Sequence, residues 1–176
     1  VKIQFSEGSE KGFPLEIVKI PRGFNDIEYL TEFHNLVSAS REMSLSTYIQ
    51  NYLGFDDQCD SDFINYYFRS VKLQSLDAVV RKFGPVKWNS QLFLHWSREL
   101  LYGLRDILSQ TTHELDKPVT LKQIFTEDSG LKLIFRRVKF GYVRGETYED
   151  HQYLEAKFLT MYGRMLIELL TGGPDP

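Results

Sequence analysis

Carboxylate side chains surround a strand–turn–strand segment in the second half of the chain. Residues 121–125 and 131–135 carry apolar strand patterns, and Glu127 and Asp128 lie in the turn between them. Asp116 comes shortly before the first strand. Carboxylates can accept a proton in general base catalysis and can supply the oxygen ligands that a divalent cation such as magnesium requires. One hypothesis is therefore an enzyme that uses Asp116 as its base and Glu127 or Asp128 as a metal ligand.

The elements around this segment predict an α+β protein. Strand patterns dominate residues 2–20 and 48–71, with one helix between them that is capped by Asn25 and ends near Ala39. Helical patterns follow at residues 75–83, 89–109 and 150–170. Strands in one part of the chain and helices in the other favour a two-lobed arrangement, divided near residues 69–74.

The composition narrows the class of protein. The chain has 176 residues, 42% of them hydrophobic and 14% aromatic, which fits one folded domain with a sizeable core. A net charge of −3 and a pI of about 5.8 argue against a nucleic-acid surface. The single cysteine, Cys59, fits a reducing compartment. No apolar run approaches the ~20 residues of a membrane span, and no signal peptide pattern is present, so we expect a cytoplasmic or other reducing intracellular location.

Four segments, taken in chain order, resemble the protein kinase family. Residues 17–20, Ile-Val-Lys-Ile, are similar to the Val-Ala-Ile-Lys strand of kinases, and the predicted helix that contains Glu32 is similar to the helix that follows that strand. Residues 75–77 resemble the start of the helix after the kinase hinge. Residues 162–172, Tyr-Gly-Arg-Met-Leu-Ile-Glu-Leu-Leu-Thr-Gly, resemble the large central helix of the C-lobe and are the most specific match.

The resemblance implies a protein kinase-like fold. Such a fold has a small, mainly antiparallel β N-lobe with one helix and a mainly α C-lobe, here partly abbreviated. Residues 1–176 are then a single domain, with residues 1–70 as the N-lobe and residues 71–176 as a partial C-lobe.

The resemblance also aligns the strand–turn–strand segment with kinase catalytic positions, where this chain lacks the necessary oxygens. Pro118 falls at the catalytic Asp, Gln123 at the metal-binding Asn, and Phe135 at the Asp of Asp-Phe-Gly. Proline offers no side-chain acceptor, and phenylalanine cannot bind magnesium. The resemblance therefore implies a pseudokinase that is not an enzyme, with no catalytic residue and no metal site.

Two further positions follow from the resemblance. Lys19 is expected to pair with Glu32, as a structural ion pair, because Gly8 and Gly12 fit a hairpin tip better than a phosphate cradle. Phe68 falls at the gatekeeper position, where a bulky side chain narrows the back of the nucleotide cleft.

Residues 113–116, His-Glu-Leu-Asp, lie in the polar link between a predicted helix and a predicted strand and are expected to form a solvated loop.

The function implied by the resemblance is a protein-interaction or allosteric regulatory module within a larger signalling protein. Its partner is then another protein or a neighbouring domain of the same chain, with a dimer as an option, and neither nucleic acid nor membrane. No cofactor is expected beyond weak, metal-independent binding of a nucleotide. The alternatives are an atypical active kinase that uses Asp116 as its base, and a purely structural domain of a multidomain sensor.

Overall fold

The computed structural model describes residues 4–10, 13–70, 73–85, 90–127, 130–136, 138–143 and 148–172. Its elements, in chain order, are β1 (Gln4–Glu10), β2 (Phe13–Pro21), α1 (Ile27–Glu42), β3 (Tyr52–Asp56), β4 (Phe63–Arg69), β5 (Leu73–Ser75), α2 (Leu76–Phe83), α3 (Ser90–Gln110), β6 (His113–Leu115), a 3₁₀ turn (Leu121–Gln123), β7 (Ile124–Glu127), β8 (Leu133–Phe135), β9 (Phe140–Val143) and α4 (Tyr148–Thr171).

The first four strands form an antiparallel sheet in the order β1-β2-β4-β3. Helix α1 packs on one face of this sheet, and a small apolar core forms between them. Its buried members are Val18, Ile20, Phe33, Val37 and Phe68. Because α1 contributes apolar residues four positions apart, one stripe of the helix covers the sheet.

The ends of α1 differ from those predicted. Asp26, one residue after the expected cap Asn25, accepts a hydrogen bond from Tyr29 N at 3.0 Å. The helix continues three residues past Ala39 to Glu42, and the amide of Met43 still donates to Ala39 O at 3.0 Å. Ser, Asp and Asn are near-equivalent caps, so the sequence alone did not distinguish Asn25 from Asp26.

Helices α2, α3 and α4 surround the larger core, which includes the C-terminal end of α1. The buried face of α3 carries Trp96, Leu100, Leu104 and Ile107, as its helical spacing predicts. Helix α4 packs beside it, and Tyr162 Oη donates to Ser97 O at 3.0 Å. Ser75 caps α2 and Gly84 ends it with a φ of 83°, in agreement with the helical pattern at residues 75–83.

Two small antiparallel sheets complete the second half, in the orders β5-β7-β8 and β6-β9. The predicted strand pair is present as β7 and β8, but both strands begin later than predicted. Residues 121–123 form the 3₁₀ turn, so β7 begins at Ile124 and not at residue 121, and β8 begins at Leu133 and not at residue 131. The expectation of a solvated loop at residues 113–116 is wrong, because β6 pairs with β9 and the His113 side chain is buried. The expected cap of α3, Asn89, lies outside the described residues. In the described part of the chain, the helices are all too short or too polar to cross a bilayer.

Candidate functional site

A cavity of about 200 Å³ opens between the four-stranded sheet, α1 and the segment that follows β8. Its walls are mainly apolar, with two carboxylates, one amide and one ammonium group among them. The lining residues are Glu16, Val18, Tyr29, Glu32, Phe33, Leu36, Gln50, Phe68, Val138 and Lys139. The cavity therefore joins residues from both halves of the chain, and we take it as the candidate functional site.

Strand β2 presents Glu16 and Val18 to this cavity, and not Lys19. Side chains alternate between the two faces of a strand, and Glu16, Val18 and Ile20 are all buried on the face that α1 covers. Lys19 therefore points to the other face, where its Nζ lies 3.5 Å from Asp60 Oδ2. The expected pair of Lys19 with Glu32 is thus corrected, since each of these residues has a different partner in the structure.

The partner of Lys19 belongs to the acidic turn between β3 and β4. Arg22 also reaches this turn and donates to the carbonyl oxygens of Asp57 and Asp60. Within the turn, Asp56 Oδ1 accepts from the amide of Cys59 at 3.1 Å, and the Cys59 side chain is exposed. These contacts fix the turn to the end of β2, on the side of the sheet away from the cavity.

Glu16 is a buried carboxylate in the wall of the cavity, with 4% of the residue exposed. It forms an ion pair with Nη2 of Arg136, the residue directly after β8, and accepts from Gln50 Nε2 at 2.6 Å. The Arg136 guanidinium also lies over the Phe125 ring, 5.2 Å from its centroid. A charge this deeply buried needs such a partner, because desolvation of an unpaired ion is expensive.

Glu32 on α1 pairs with Lys139, with Nζ and Oε2 2.7 Å apart. The hydrogen bond to Glu32 raises the pKa of Lys139, and the charges of Glu32, Asp116 and Glu28 act in the same direction. The acid on the helix thus has a cationic partner, but that cation comes from the segment after β8. The expected cation on β2, Lys19, does not take part in this pair.

Phe68 lies in the wall of the cavity, directly across the β2–β4 pairing from Glu16. Its ring is 3% exposed and makes edge contacts with Tyr52 and Phe33 at centroid distances of 5.5 and 6.3 Å. Phe68 is therefore at once a core aromatic and a bulky residue that limits the cavity.

Phe135 is fully buried at the end of β8. Its amide donates to Tyr48 O at 2.6 Å and its carbonyl accepts from Gln50 N at 3.0 Å. On the other side, its ring packs against α3 at Gly103 so closely that a Cβ at position 103 would lie 2.2 Å from Cε2 of the ring. The side chain thus fills the core between α3 and β8.

Gln123 and Pro118 have local structural roles. The side-chain oxygen of Gln123 accepts from Thr120 N at 3.0 Å and from Thr120 Oγ1 at 3.3 Å, which closes the 3₁₀ turn. Its main chain lies beside the end of β8, since Arg136 N donates to Gln123 O at 2.8 Å. Pro118 is exposed and lines a different cavity, of about 470 Å³, beside α4. The structure brings Gln123 and Phe135 together and lines a separate cavity with Pro118.

The acids of the active-enzyme hypothesis have different placements. Asp116 is exposed, and its amide donates to Lys139 O at 3.1 Å. The Glu127 side chain and the whole of Asp128 lie outside what the structure describes. Among the described side chains, no three His, Cys, Asp or Glu residues are grouped closely enough to hold a metal ion.

A second polar cluster joins the end of α1 to the start of β6. Glu42 Oε2 accepts from Thr111 Oγ1 and from Thr112 N, each at 2.7 Å, and Nδ1 of buried His113 lies 3.4 Å from Glu42 Oε1. Partial burial works against the charged form of Glu42. The hydrogen bonds from Thr111 and Thr112 and the charge of His113 outweigh it and hold the pKa of Glu42 below its ordinary value.

Sequence reasoning missed Glu16, Arg136 and Lys139 as residues of the candidate site. A signal for Glu16 was present, because it shares its alternation phase with the apolar residues Val18 and Ile20. Lys139 lies in a short segment with several basic residues, which is equally typical of a solvated strand. No local pattern identifies which of those cations turns toward α1.

The fold is similar to that of protein kinases. No family model and no curated protein sequence matches the chain. A structure of Rad53 in complex with AMP-PNP matches with a TM-score of 0.63 and 17% identity, covering 98% of this chain and 45% of that one. An apo pseudokinase matches with a TM-score of 0.68 and 14% identity, covering 98% of this chain and 63% of the other. The predicted α+β, two-lobed, kinase-like fold is therefore confirmed, and this chain spans less than two thirds of either structure.

Proposed function

We propose that this chain is a pseudokinase domain, a kinase-like domain that transfers no phosphate and regulates or binds other proteins. Residues 1–70 form its N-lobe and residues 71–176 a partial C-lobe. It functions within a larger signalling protein, and its partner is another protein or a neighbouring domain. The exposed thiol of Cys59 suits a cytoplasmic or other reducing compartment.

The observation that carries the proposal is the position of Phe135. At the position that the resemblance aligns with the magnesium-binding aspartate of kinases, this chain has an aromatic ring that is 0% exposed and packed on α3. Magnesium requires oxygen ligands, and this ring offers none. The side chain is also part of the packed core, so it cannot move away to make room for a neighbouring residue that would bind magnesium in its place.

The buried carboxylate of Glu16 supports the same proposal. A nucleotide that entered the cavity would bring its phosphates toward an acid, and like charges in a poorly hydrated space repel strongly. The guanidinium group of Arg136 is already paired with Glu16. Nucleotide binding, if any, is therefore weak and independent of metal in our proposal.

Incubation of the purified protein with radiolabelled ATP, Mg²⁺ or Mn²⁺ and a general protein substrate tests the loss of catalysis. We expect no incorporation of label, and we expect MgATP to leave the melting temperature nearly unchanged, because a ligand stabilises only the state that it binds. Incorporation that disappears in Asp116→Ala would establish the atypical kinase instead.

The regulatory role requires a separate measurement in the full-length protein. Deletion of the domain, or disruption of its fold by Phe135→Asp, should change the output of the neighbouring domain or abolish binding of a partner. If both remain as in the wild type, the domain is purely structural.

A further inference from the structure

The cavity that Pro118 lines lies between α4 and the segment before the 3₁₀ turn. Its volume is about 470 Å³, which is typical of a site for a small molecule. Residues 118–120 form one wall, and one face of α4 forms the other. Most of that face is a single stripe of residues three and four positions apart, namely Lys157, Thr160, Met161, Arg164, Met165 and Glu168. We call this space the α4 cavity.

The floor of the α4 cavity is apolar and held in place. Val119, Met161 and Met165 are each at most 5% exposed. Val119 N donates to Met161 Sδ at 3.1 Å, so the segment before the 3₁₀ turn is fixed to the helix at this point. Methionine side chains adapt their shape to a neighbouring group, so this floor suits an apolar molecule.

The two hydroxyl groups in the walls already donate hydrogen bonds within the protein. Thr160 Oγ1 donates to Ala156 O at 2.9 Å, and Thr120 Oγ1 donates to Gln123 Oε1 at 3.3 Å. A hydroxyl group has only one hydrogen to donate. The side-chain donors that remain for a ligand in these walls are therefore cationic.

Lys157 and Arg164 supply these cationic donors. The Lys157 ammonium donates to Leu115 O at 3.2 Å, which uses one of its three N–H groups. Arg164 is exposed and forms no ion pair with any side chain in the described part of the chain. The two residues are seven positions apart, about 10 Å along the helix axis, so their long side chains can reach one group that lies between them.

Glu168 places a carboxyl group at the far end of the α4 cavity. Burial raises the pKa of Glu168, and the charge of Asp77 acts in the same direction, so this end of the cavity is poorly hydrated. With Glu168 ionised, the walls carry two positive charges and one negative charge, which leaves a net charge of +1. A singly charged anion balances this net charge, whereas a phosphate dianion exceeds it.

We propose that the α4 cavity binds a small organic carboxylate with an apolar body. The carboxylate lies between Lys157 and Arg164, and the guanidinium group can donate two parallel hydrogen bonds to it. The apolar body packs on Val119, Met161 and Met165. This site shares no lining residue with the cavity between the four-stranded sheet and α1. The inference goes beyond the proposed function and does not depend on the loss of catalysis.

Titration of the purified chain with cinnamate, followed by ligand-observed NMR, tests the proposal. We expect a Kd on the order of 1 mM, since a molecule of this size gains only a modest free energy of binding. Neutral cinnamamide has the same apolar body and should bind roughly fivefold more weakly, because it lacks the charge-assisted hydrogen bonds. Arg164→Met should weaken the binding of cinnamate by a similar factor and leave the binding of cinnamamide unchanged.

Arg98→Met is the matched control, because it removes an exposed arginine of α3 that lies outside the α4 cavity. It should leave the Kd of cinnamate unchanged. Ala156→Trp places an indole at an exposed position of the wall and should abolish the binding of both molecules, so it tests the proposal even if Arg164→Met does not fold.

Four results would each overturn the inference. The first is no binding of cinnamate at about 10 mM, and the second is equal binding of cinnamate and cinnamamide. The third is an unchanged Kd for cinnamate in Arg164→Met or in Ala156→Trp. The fourth is an equal loss of affinity in Arg98→Met and Arg164→Met, which would show that the anion responds only to the overall charge of the protein.

Discussion

The ring of Phe135 occupies the space that any side chain at position 103 would need. A Cβ at Gly103 would lie 2.2 Å from Cε2 and 2.8 Å from Cδ2 of that ring. Gly103 on α3 and Phe135 at the end of β8 are 32 positions apart in the chain but in direct contact. The large ring at position 135 therefore requires a residue without a side chain at position 103.

Gly103→Ala should therefore destabilise the protein, although alanine is the better helix former. We expect a loss of about 2–3 kcal/mol in the free energy of unfolding, because the ring must leave its position in a packed core. Denaturation by urea measures this loss.

Gly163→Ala in α4 is the matched control. A Cβ there meets nothing within 4 Å, so we expect the free energy of unfolding to rise by about 0.5–1 kcal/mol. The combination Gly103→Ala with Phe135→Leu should recover part of the loss, and equal effects of the two glycine substitutions would contradict the packing described.

Phe135→Asp should not create a magnesium site. The side chain is 0% exposed, and a carboxylate without a partner in such a place costs about 4 kcal/mol or more. We expect a largely unfolded or severely destabilised protein, seen by circular dichroism. A folded Phe135→Asp variant whose melting temperature rises with Mg²⁺ would show that the position still belongs to a metal site.

Glu16→Gln should destabilise the protein through its partner. The substitution leaves the Arg136 guanidinium four-fifths buried without its counter-ion, which we expect to lower the free energy of unfolding by about 2–3 kcal/mol. Addition of Arg136→Met should restore most of this loss, since the uncompensated charge is then gone. Asp77→Asn, which breaks the exposed pair with Arg81, should change stability by less than about 0.5 kcal/mol. Additive effects of Glu16→Gln and Arg136→Met would argue against the ion pair.

Glu42→Gln should make stability respond differently to pH. The pKa of Glu42 is lowered in the folded protein from its ordinary value of 4.5, so the folded state favours the carboxylate. The stabilisation by Glu42 is therefore fully present above pH 4.5 and is lost as the pH falls through the lower, folded value. The difference in unfolding free energy between wild type and Glu42→Gln should therefore shrink as the pH falls below about 4.5. Glu114→Gln, an exposed change on β6, should show no such pattern. A difference that grows as the pH falls below 4.5 would contradict the hydrogen bonding assigned to Glu42.

The sequence predicted the elements with strong periodicity and missed the short strands β6 and β9. Helices α3 and α4 have long apolar stripes, and their extents agree with the prediction within about two residues. Strands β6 and β9 have three and four residues, too few for an alternation to be recognised, and they depend on each other for hydrogen bonds. The pairing of His113 with Val143 is information that only the folded chain contains.

In the candidate site, too, the directions of individual side chains depend on long-range pairing that the local sequence does not reveal. The string Ile-Val-Lys-Ile predicted a strand correctly, but the face of Lys19 depends on how β2 pairs with β4 and on which side α1 covers. A shift of one residue exchanges the two faces, and the structure places Val18 inside and Lys19 outside. Arg136 and Lys139 approach β2 and α1 only because β8 and β9 bring their segment there, a long-range effect with no local sequence pattern.

The acidic turn between β3 and β4 offers a native position for a spectroscopic label. Cys59 is the single cysteine of the chain and is exposed in this turn, which Lys19 and Arg22 fasten to β2. A fluorescent dye coupled to the native thiol would therefore report from the four-stranded sheet without any engineered mutation. With a second dye at an introduced site on the β6–β9 sheet, energy transfer between the two dyes would report the distance between the two halves of the chain as an optical signal.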